Sequence, residues 1–288
     1  MTLELKTPAV DELGAVVAEL SRWQSDEAPL QLHPGDIGWF ERYGTEATAA
    51  AVRTWSQDGQ LLAIGLLDGA DLLRMTLAPQ VHRDQRLAEA IAADIADPER
   101  GVLPVGAAVV EAPTAALVKE VLADRGWAID EPWTPLRRDL GEAVADPDLR
   151  VEVVGPDQAS DWAAIVRSAF GSTTFTEQRW HAMSAGVVHA DAQSLLGYDD
   201  QGAAVATITV WSAGPGRPGL IEPMGVHTEH RGHGYGRSIT VAAARALRDL
   251  GASSALVCTE SSRVGAVATY RSAGFQPDPE RTDRRRGA

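Results

Sequence analysis

The chain has 288 residues, 44% of them hydrophobic, and a formal net charge of −14 at pH 7. This length and composition indicate a globular protein with room for two domains. No apolar run approaches the ~20 residues of a membrane helix, and the acidic N-terminal segment is unlike a signal peptide. The single cysteine, Cys258, excludes an internal disulfide and a multi-cysteine metal site. We therefore expect a cytoplasmic protein that does not bind a membrane.

The charge is unevenly spread between two halves of the chain. The first half, residues 1–149, carries 12 basic and 26 acidic side chains, whereas the second half, residues 150–288, carries 14 of each. An acidic surface repels phosphate backbones, so we do not expect nucleic-acid binding. The same acidity favours a cationic substrate, although acidic side chains also serve solubility alone.

The same order of predicted elements occurs in both halves, on either side of a linker around residues 141–150. Each half has a helix, a tryptophan, hairpins, an alanine-rich amphipathic helix, a short apolar strand and a helix that ends in glycine and an aromatic residue. We predict two α+β units, residues 1–145 and 150–288, each a mixed, mostly antiparallel twisted sheet flanked by helices. The predicted segments are 11–24, 54–79, 87–96, 106–112 and 124–130 in the first half, and 157–170, 195–226, 237–251, 254–260 and 272–278 in the second.

The two halves differ in their final strand. The first half has a candidate in residues 134–140, TPLRRDL. After Phe275, two prolines and a basic end leave little room for such a strand. The sheet edge of the second unit is therefore expected to be open or completed by the first half.

Residues 230–238, HRGHGYGRS, place glycines at every second position just before a predicted helix. Glycines at this spacing let the backbone approach a ligand and turn successive N–H groups toward one point. The positive end of the helix dipole favours an anion there, and Arg231 and Arg237 add charge. The spacing fits neither a dinucleotide fingerprint nor a P-loop. In the first half, Gln85 and Leu87 replace Gly234 and Gly236, so we predict that this copy is degenerate.

Two segments of the second half carry a family resemblance. Residues 224–236, MGVHTEHRGHGYG, resemble the acetyl-CoA signature of the GNAT superfamily of N-acyltransferases, in which a hydrophobic strand precedes R/Q-x-x-G-x-G/A. Residues 266–275, AVATYRSAGF, resemble the later pattern A-x-x-x-Y-x-x-x-G-F. The first half matches only as a degenerate copy, an arrangement like that of tandem GNAT enzymes such as mycothiol synthase. Arg263 departs from the asparagine frequent in the family, and it is a candidate contact for a CoA phosphate or the substrate.

The resemblance implies an acetyl-CoA-dependent N-acetyltransferase with acetyl-CoA as co-substrate and no metal. It implies that the backbone of Met224, Gly225 and Val226 holds the pantetheine arm, with the Val226 N–H as candidate oxyanion donor. Ser261 is a further candidate contact for the pantetheine or adenine end. The implied phosphate loop comprises Arg231, Gly232, His233, Gly234, Tyr235, Gly236 and Arg237.

Two side chains are candidates for proton transfer. Tyr270 resembles the general acid of the family, and its alternative role is to pack a helix against the sheet. Glu222 shares a strand face with Met224, two residues later. A carboxylate on the apolar strand LIEPM is costly unless it is solvated or paired. Glu222 is therefore a candidate base or anchor for the substrate ammonium, or else part of an edge salt bridge. Pro223 removes a backbone donor, which predicts a bulge.

Histidines give weaker signals. His227, His230 and His233 stand three residues apart, but no cysteine or carboxylate completes a metal set, so we interpret them as loop residues. His181 and His189 are candidate bases, although surface positions are the simpler interpretation.

The leading functional hypothesis is acetylation of a small-molecule amine by direct attack. Two alternatives are acetylation of a protein or peptide and a non-catalytic acyl-CoA-binding module. Because two fused units already form a pseudo-dimer, we expect a monomer or weak homodimer.

Overall fold

A computed structural model describes residues 3–287 of the chain. The helices are α1 (Leu13–Arg22), α2 (Pro34–Phe40), α3 (Thr45–Ala51), α4 (Gln85–Ala96), α5 (Leu117–Asp124), α6 (Ala159–Phe170), α7 (Glu177–Ser184), α8 (Tyr235–Asp249) and α9 (Val264–Ser272). The strands are β1 (Glu4–Lys6), β2 (Val52–Gln57), β3 (Gln60–Leu67), β4 (Leu72–Leu77), β5 (Ala108–Glu111), β6 (Ala128–Asp139), β7 (Arg150–Val153), β8 (Ala192–Tyr198), β9 (Ala204–Trp211), β10 (Gly219–Val226), β11 (Ser254–Glu260), β12 (Gln276–Pro277) and β13 (Arg281–Arg286).

The predicted fold class, mixed and mostly antiparallel sheet flanked by helices, is confirmed. The strands join into one sheet in the order β1-β2-β3-β4-β5-β13-β6-β11-β10-β9-β8-β7, with β12 beside β6. Within the described residues, β4 pairs with β5 and β10 with β11 in parallel, and the remaining neighbours are antiparallel. The helices predicted in each half are present, including α4 and α8, whose apolar faces pack into the core.

The final strand of each half lies in the sheet of the other half. The segment Trp133–Asp139 of β6 pairs with all of β11, so the first half completes the edge of the second. β13 in turn lies between β5 and β6. The expectation that residues after Phe275 leave little room for a last strand is therefore wrong. The charged segment forms a strand because its inward side chains are paired: Arg281 lies 3.0 Å from Glu111, and Asp283 lies 3.4 Å from Lys119.

A tryptophan fixes the contact between the halves. The fully buried Trp211 of β9 packs its indole against Gly35 and Gly38 of α2. A Cβ atom at Gly38 would lie 2.4 Å from the Trp211 ring, so only glycine allows this approach. The Trp211 Nε1–H donates to the backbone carbonyl of Glu222 at 2.6 Å. The first half is thereby packed against the strand that carries the candidate base.

Within residues 3–287, every helix is either too short or too polar to cross a bilayer.

Candidate active site

The glycine segment forms an open loop at the start of α8. Gly232 and Gly234 have φ values of +85° and +83°, in the left-handed region where glycine is favoured. Gly234 is the N-cap of α8 and supplies no side chain to cap it. The N–H groups of the first turn, Tyr235–Arg237, therefore have no partner inside the helix. Gly236 has a different reason to be glycine, because a Cβ there would lie 3.0 Å from Thr269 Cγ2 of α9.

The equivalent helix of the first half is closed by its own side chain. The carboxylate of Asp84, the N-cap of α4, accepts a hydrogen bond from the Leu87 N–H at 2.8 Å. A negative charge of the chain thus occupies the place that an anionic ligand would take at a free helix N-terminus.

Side chains beside the loop are exposed but already have contacts. Arg231 donates to the carbonyl of Ala169 at 2.9 Å, and Arg237 pairs with Asp148 at 2.7 Å. His233 stacks on Tyr235 with ring centroids 5.7 Å apart. The charge of Arg237 is thus partly offset by Asp148, whereas Arg231 bonds to a neutral carbonyl.

A gap opens between β10 and β11 next to this loop. The two strands pair only at Gly219–Leu220, and the register of β10 against β9 shifts between Ile221 and Met224, which confirms the bulge predicted from Pro223. The His227 N–H donates to Val205 O on β9. Because hydrogen bonds alternate along an antiparallel ladder, the N–H groups of Met224 and Val226 point away from β9 and toward the gap.

A cavity of about 520 Å³ lies beneath the gap, and we call it the junction chamber because both halves line it. Its charged and aromatic lining residues, together with Cys258, are Asp36, Trp39, Arg42, Tyr43, Arg74, Glu111 and Trp133 from the first half, and Phe170, Phe175, Arg179, Glu222, Glu260, Arg263, Tyr270 and Arg281 from the second.

Tyr270, on α9, lines the chamber and is only 7% exposed. Its ring also packs against Phe275, at 6.1 Å between centroids. Burial raises the pKa of the Tyr270 hydroxyl, and the nearby Glu222 raises it further. The side chain therefore keeps its proton at neutral pH and is available as a donor in the chamber.

Glu222 enters the chamber from the bulge of β10 and meets Asp36 of α2, which lies within hydrogen-bond reach. Burial raises the pKa of Glu222 well above its usual range; Arg74 opposes this shift, and Asp36 adds to it. Two carboxyl groups can form a hydrogen bond only if they share a proton. The two carboxyl groups can therefore hold one proton between them or accept one.

Asp36 is held by an ion-pair network in the first half. It accepts from Arg74 at 2.9 Å and from its own loop, the His33 N–H, at 2.6 Å. Arg74 also lies 3.1 Å from Asp68 and 3.6 Å from Glu111. Sequence reasoning missed these residues. For Arg74 and Glu111 the signal was the one used for Glu222, a charge within the apolar strands LLRMTL and AVVE.

Other sequence candidates lie elsewhere. Ser261 lies outside the chamber lining, where its hydroxyl bonds to Thr134 Oγ1 at 2.8 Å. His181 is an exposed residue of α7, and His189 lies against Trp180 and Trp211, where burial lowers its pKa. Neither histidine lines the chamber.

Cys258 does line the chamber, and burial raises the pKa of its thiol to about 12. It therefore remains a neutral thiol at physiological pH. Among the residues that the structure describes, no three His, Cys, Asp or Glu side chains are grouped as a metal site would require.

Comparison with known proteins shows what the chain is similar to. The model of the acetyltransferase (GNAT) family matches residues 159–275. No curated protein sequence matches the chain. Among solved structures, a GCN5-related N-acetyltransferase from Sphaerobacter thermophilus aligns with a TM-score of 0.60 and 18% identity over 99% of this chain and 95% of its own.

Two further structures cover the chain almost completely. A tandem GNAT protein from the clavulanic acid biosynthesis pathway aligns with a TM-score of 0.63 and 16% identity, over 99% of this chain and 98% of its own. An acetyltransferase of the GNAT family from Colwellia psychrerythraea aligns with a TM-score of 0.63 and 16% identity over 100% of both chains. Residues 159–275 therefore match the model of the acetyltransferase (GNAT) family, and the chain as a whole has the fold of these GNAT structures.

Proposed function

We propose that this chain is an N-acetyltransferase that moves the acetyl group of acetyl-CoA to the amine of a small molecule by direct attack. One observation carries the proposal: the open glycine loop packs at the end of β10, where Gly236 approaches Val226, and Glu222 and Tyr270 line the chamber beside the unpaired edge of the same strand. In this proposal residues 150–288 hold acetyl-CoA, and residues 1–145 are a degenerate copy that completes the acceptor end.

The loop at the start of α8 fits a pyrophosphate group. The N–H groups of Gly232–Arg237 would bind its oxygens, assisted by the positive helix end and by Arg231. The outward N–H groups of Met224 and Val226 would hold the pantetheine arm along the gap, where Gly225 lets α6 pack close: a Cβ there would lie 2.7 Å from Ala169. Ser261 is left out of this assignment because its hydroxyl is bonded to Thr134.

Acetyl-CoA supplies an activated acetyl thioester when bound. The amine must be neutral before it attacks, so Glu222, supported by Asp36, accepts the proton of the ammonium group. The Val226 N–H donates toward the oxygen on which negative charge develops as the N–C bond forms. Tyr270 holds the proton that the sulfur requires as the C–S bond breaks.

The size and position of the chamber favour a small amine over a protein acceptor. Its volume of about 520 Å³ suits a small molecule, and α2 of the first half closes one side of it. A purely acyl-CoA-binding module has no need for a carboxyl pair next to the bulge, and the presence of Glu222 and Asp36 favours an enzyme.

The first test is calorimetric titration of acetyl-CoA into the wild-type chain and the Gly234→Gln variant. We expect one site per chain in the wild type and loss of binding in Gly234→Gln, because glutamine strains a backbone with φ of +83° and crowds the loop. Gly202→Gln is the matched control, since Gly202 has the same φ of +83° and open space in the β8–β9 turn. Two sites per chain would contradict a degenerate first half. Absence of binding at millimolar acetyl-CoA would contradict the proposed function.

A further inference from the structure

Most of the chamber's arginines are already neutralised by carboxylates. Arg74 pairs with Asp36, Arg281 with Glu111 at 3.0 Å, and Arg263 with Glu260 at 2.9 Å. Two lining arginines differ from these. Within residues 3–287, Arg42 and Arg179 form no salt bridge, although both line the chamber.

These two arginines come from opposite halves and share one tyrosine. The guanidinium carbons of Arg42 and Arg179 lie 4.4 and 5.0 Å from the centroid of the Tyr43 ring. Arg42 also lies 4.3 Å from the centroid of Trp39 and donates to the Trp39 carbonyl at 2.6 Å. Arg179 donates to Thr174 Oγ1 at 3.2 Å. The contacts fix both side chains while part of each guanidinium fork stays without a hydrogen bond to the described residues.

This arrangement leaves both cations open to an anion. Burial lowers the pKa of Arg42, and Tyr43, Asp68 and Glu222 oppose this shift, although neither carboxylate lies within salt-bridge distance. Two like charges on one ring repel each other. An anion placed between the guanidinium groups would reduce this repulsion, and a guanidinium fork matches a carboxylate or a phosphate.

The chamber thus contains two arginines without a carboxylate partner among the described residues, and it contains the carboxyl groups of Glu222 and Asp36 at the bulge. Aromatic surface lies near the cations: Trp39 and Phe175 stack at 5.3 Å between centroids with an angle of 4° between the rings. We propose that the acceptor is a small zwitterion, a primary amine that carries an anionic group on an apolar body, as in an apolar amino acid. Its anionic group binds Arg42 and Arg179, its amine faces Glu222, and its body lies against Trp39 and Phe175.

This inference rests on the proposed function, and it reverses an expectation from composition. The acidic first half favoured a cationic substrate, but the charges that face the chamber without a partner are arginines. The net acidic charge of the first half therefore does not indicate which substrate charge the chamber binds.

The test compares amines that differ only in the anionic group. L-phenylalanine and phenethylamine, and L-leucine and isoamylamine, are titrated calorimetrically into the protein saturated with CoA. We expect each amino acid to bind at least about tenfold more tightly than its amine, since hydrogen bonds to charged groups have this magnitude. The same titration with O-phosphoethanolamine and ethanolamine shows whether the arginines bind a phosphate in place of a carboxylate.

Variants of the two arginines complete the test. Arg42→Met and Arg179→Met are expected to abolish the preference for the anionic member of each pair. Arg150→Met is the control, because Arg150 also lies over a tyrosine ring, at 4.1 Å from the centroid of Tyr198, but does not line the chamber. The preference ratio of this variant should stay as in the wild type. Equal affinities within every pair in the wild-type protein, or a preference that survives both Arg42→Met and Arg179→Met, would overturn the inference.

A parallel assay separates this inference from the proposed function. Acetylation of the same compounds is followed by release of the CoA thiol. A retained preference in binding without any acetylation would contradict the proposed function alone, whereas acetylation of the plain amines at equal or higher affinity would contradict the inference alone.

Discussion

The carboxylate of Glu41, which follows α2, accepts a hydrogen bond from the backbone N–H of Val187 in the other half at 2.7 Å. It also accepts from the Val188 N–H at 3.3 Å, so one buried side chain connects the first half to the segment after α7. Burial raises the pKa of Glu41 to about 7. The junction between the halves therefore contains a group that titrates near physiological pH.

This raised pKa predicts a pH dependence of stability. The native chain binds the Glu41 proton more tightly than the unfolded chain does, so its contribution is fully present below the ordinary value of 4.5 and is lost as the pH rises through about 7. Glu41→Gln keeps an oxygen for the Val187 N–H but does not titrate. We expect the wild-type free energy of unfolding, measured in urea across this range, to fall relative to the variant as the pH rises. Parallel curves for the two proteins would contradict the assignment.

Glu222 governs the second prediction, which concerns catalysis. A base acts when it is ionised, so kcat/KM should increase with pH through the raised pKa of Glu222. Glu222→Gln should lower kcat/KM by about 10² to 10⁴-fold, the usual contribution of general base catalysis, and should remove this increase. The measurement is the pH profile of kcat/KM by thiol release. A variant with the wild-type profile would exclude Glu222 as the base.

Asp36→Asn provides a finer check on the same carboxyl pair. Asp36 raises the pKa of Glu222, so its neutralisation should move the increase in kcat/KM to lower pH and leave the increase itself in place. A merely structural role of Asp36 would change the amplitude without shifting the profile.

Tyr270 supplies the third prediction. Tyr270→Phe keeps the ring against Phe275 but removes the hydroxyl from the chamber. We expect kcat to fall by about 10²-fold or more, while the Kd of acetyl-CoA in calorimetry stays nearly unchanged. If turnover persists at the wild-type rate, Tyr270 packs the helix and takes no part in the reaction.

The glycines of α2 supply the fourth prediction. Gly38→Ala would place a Cβ atom 2.4 Å from the Trp211 ring, so the halves must separate slightly. We expect a loss of about 2 kcal/mol in the free energy of unfolding, typical of overpacking. Gly14→Ala on α1 is the matched control, because nothing lies within 4 Å of its added methyl group, and its stability should be unchanged or slightly higher. Equal stability of the two variants would contradict the close approach.

Features encoded by a few neighbouring residues could be predicted from the sequence. The glycine loop follows from positive φ and a helix N-terminus, the bulge follows from Pro223, and the amphipathic helices follow from their periodicity. Glu222 was recognisable because a carboxylate on an apolar strand is costly unless it is solvated or paired. Each of these signals lies within one element, so no knowledge of the tertiary structure was required.

Features that depend on contacts between distant residues could not be predicted in the same way. β13 looked unsuited to a strand because Arg281 and Asp283 find their partners, Glu111 and Lys119, more than 160 positions away in the chain. Asp36 and Arg42 likewise reach the chamber only because α2 packs on Trp211. Sequence reasoning described the first half only as a degenerate copy, whereas it supplies one wall of the candidate site.

The exchange of final strands also bears on how the protein is made. A domain whose strands are all contiguous can fold as soon as it leaves the ribosome, and domains generally do so from the N-terminus onward. Here β5 and β6 lack the strand between them until β13, more than 140 residues after β6, has been synthesised. Until β13 is in place, the facing edges of β5 and β6 have no partner strand. Because unpaired strand edges are templates for pairing with other chains, we expect the protein to be most prone to aggregation before its last strand has been synthesised.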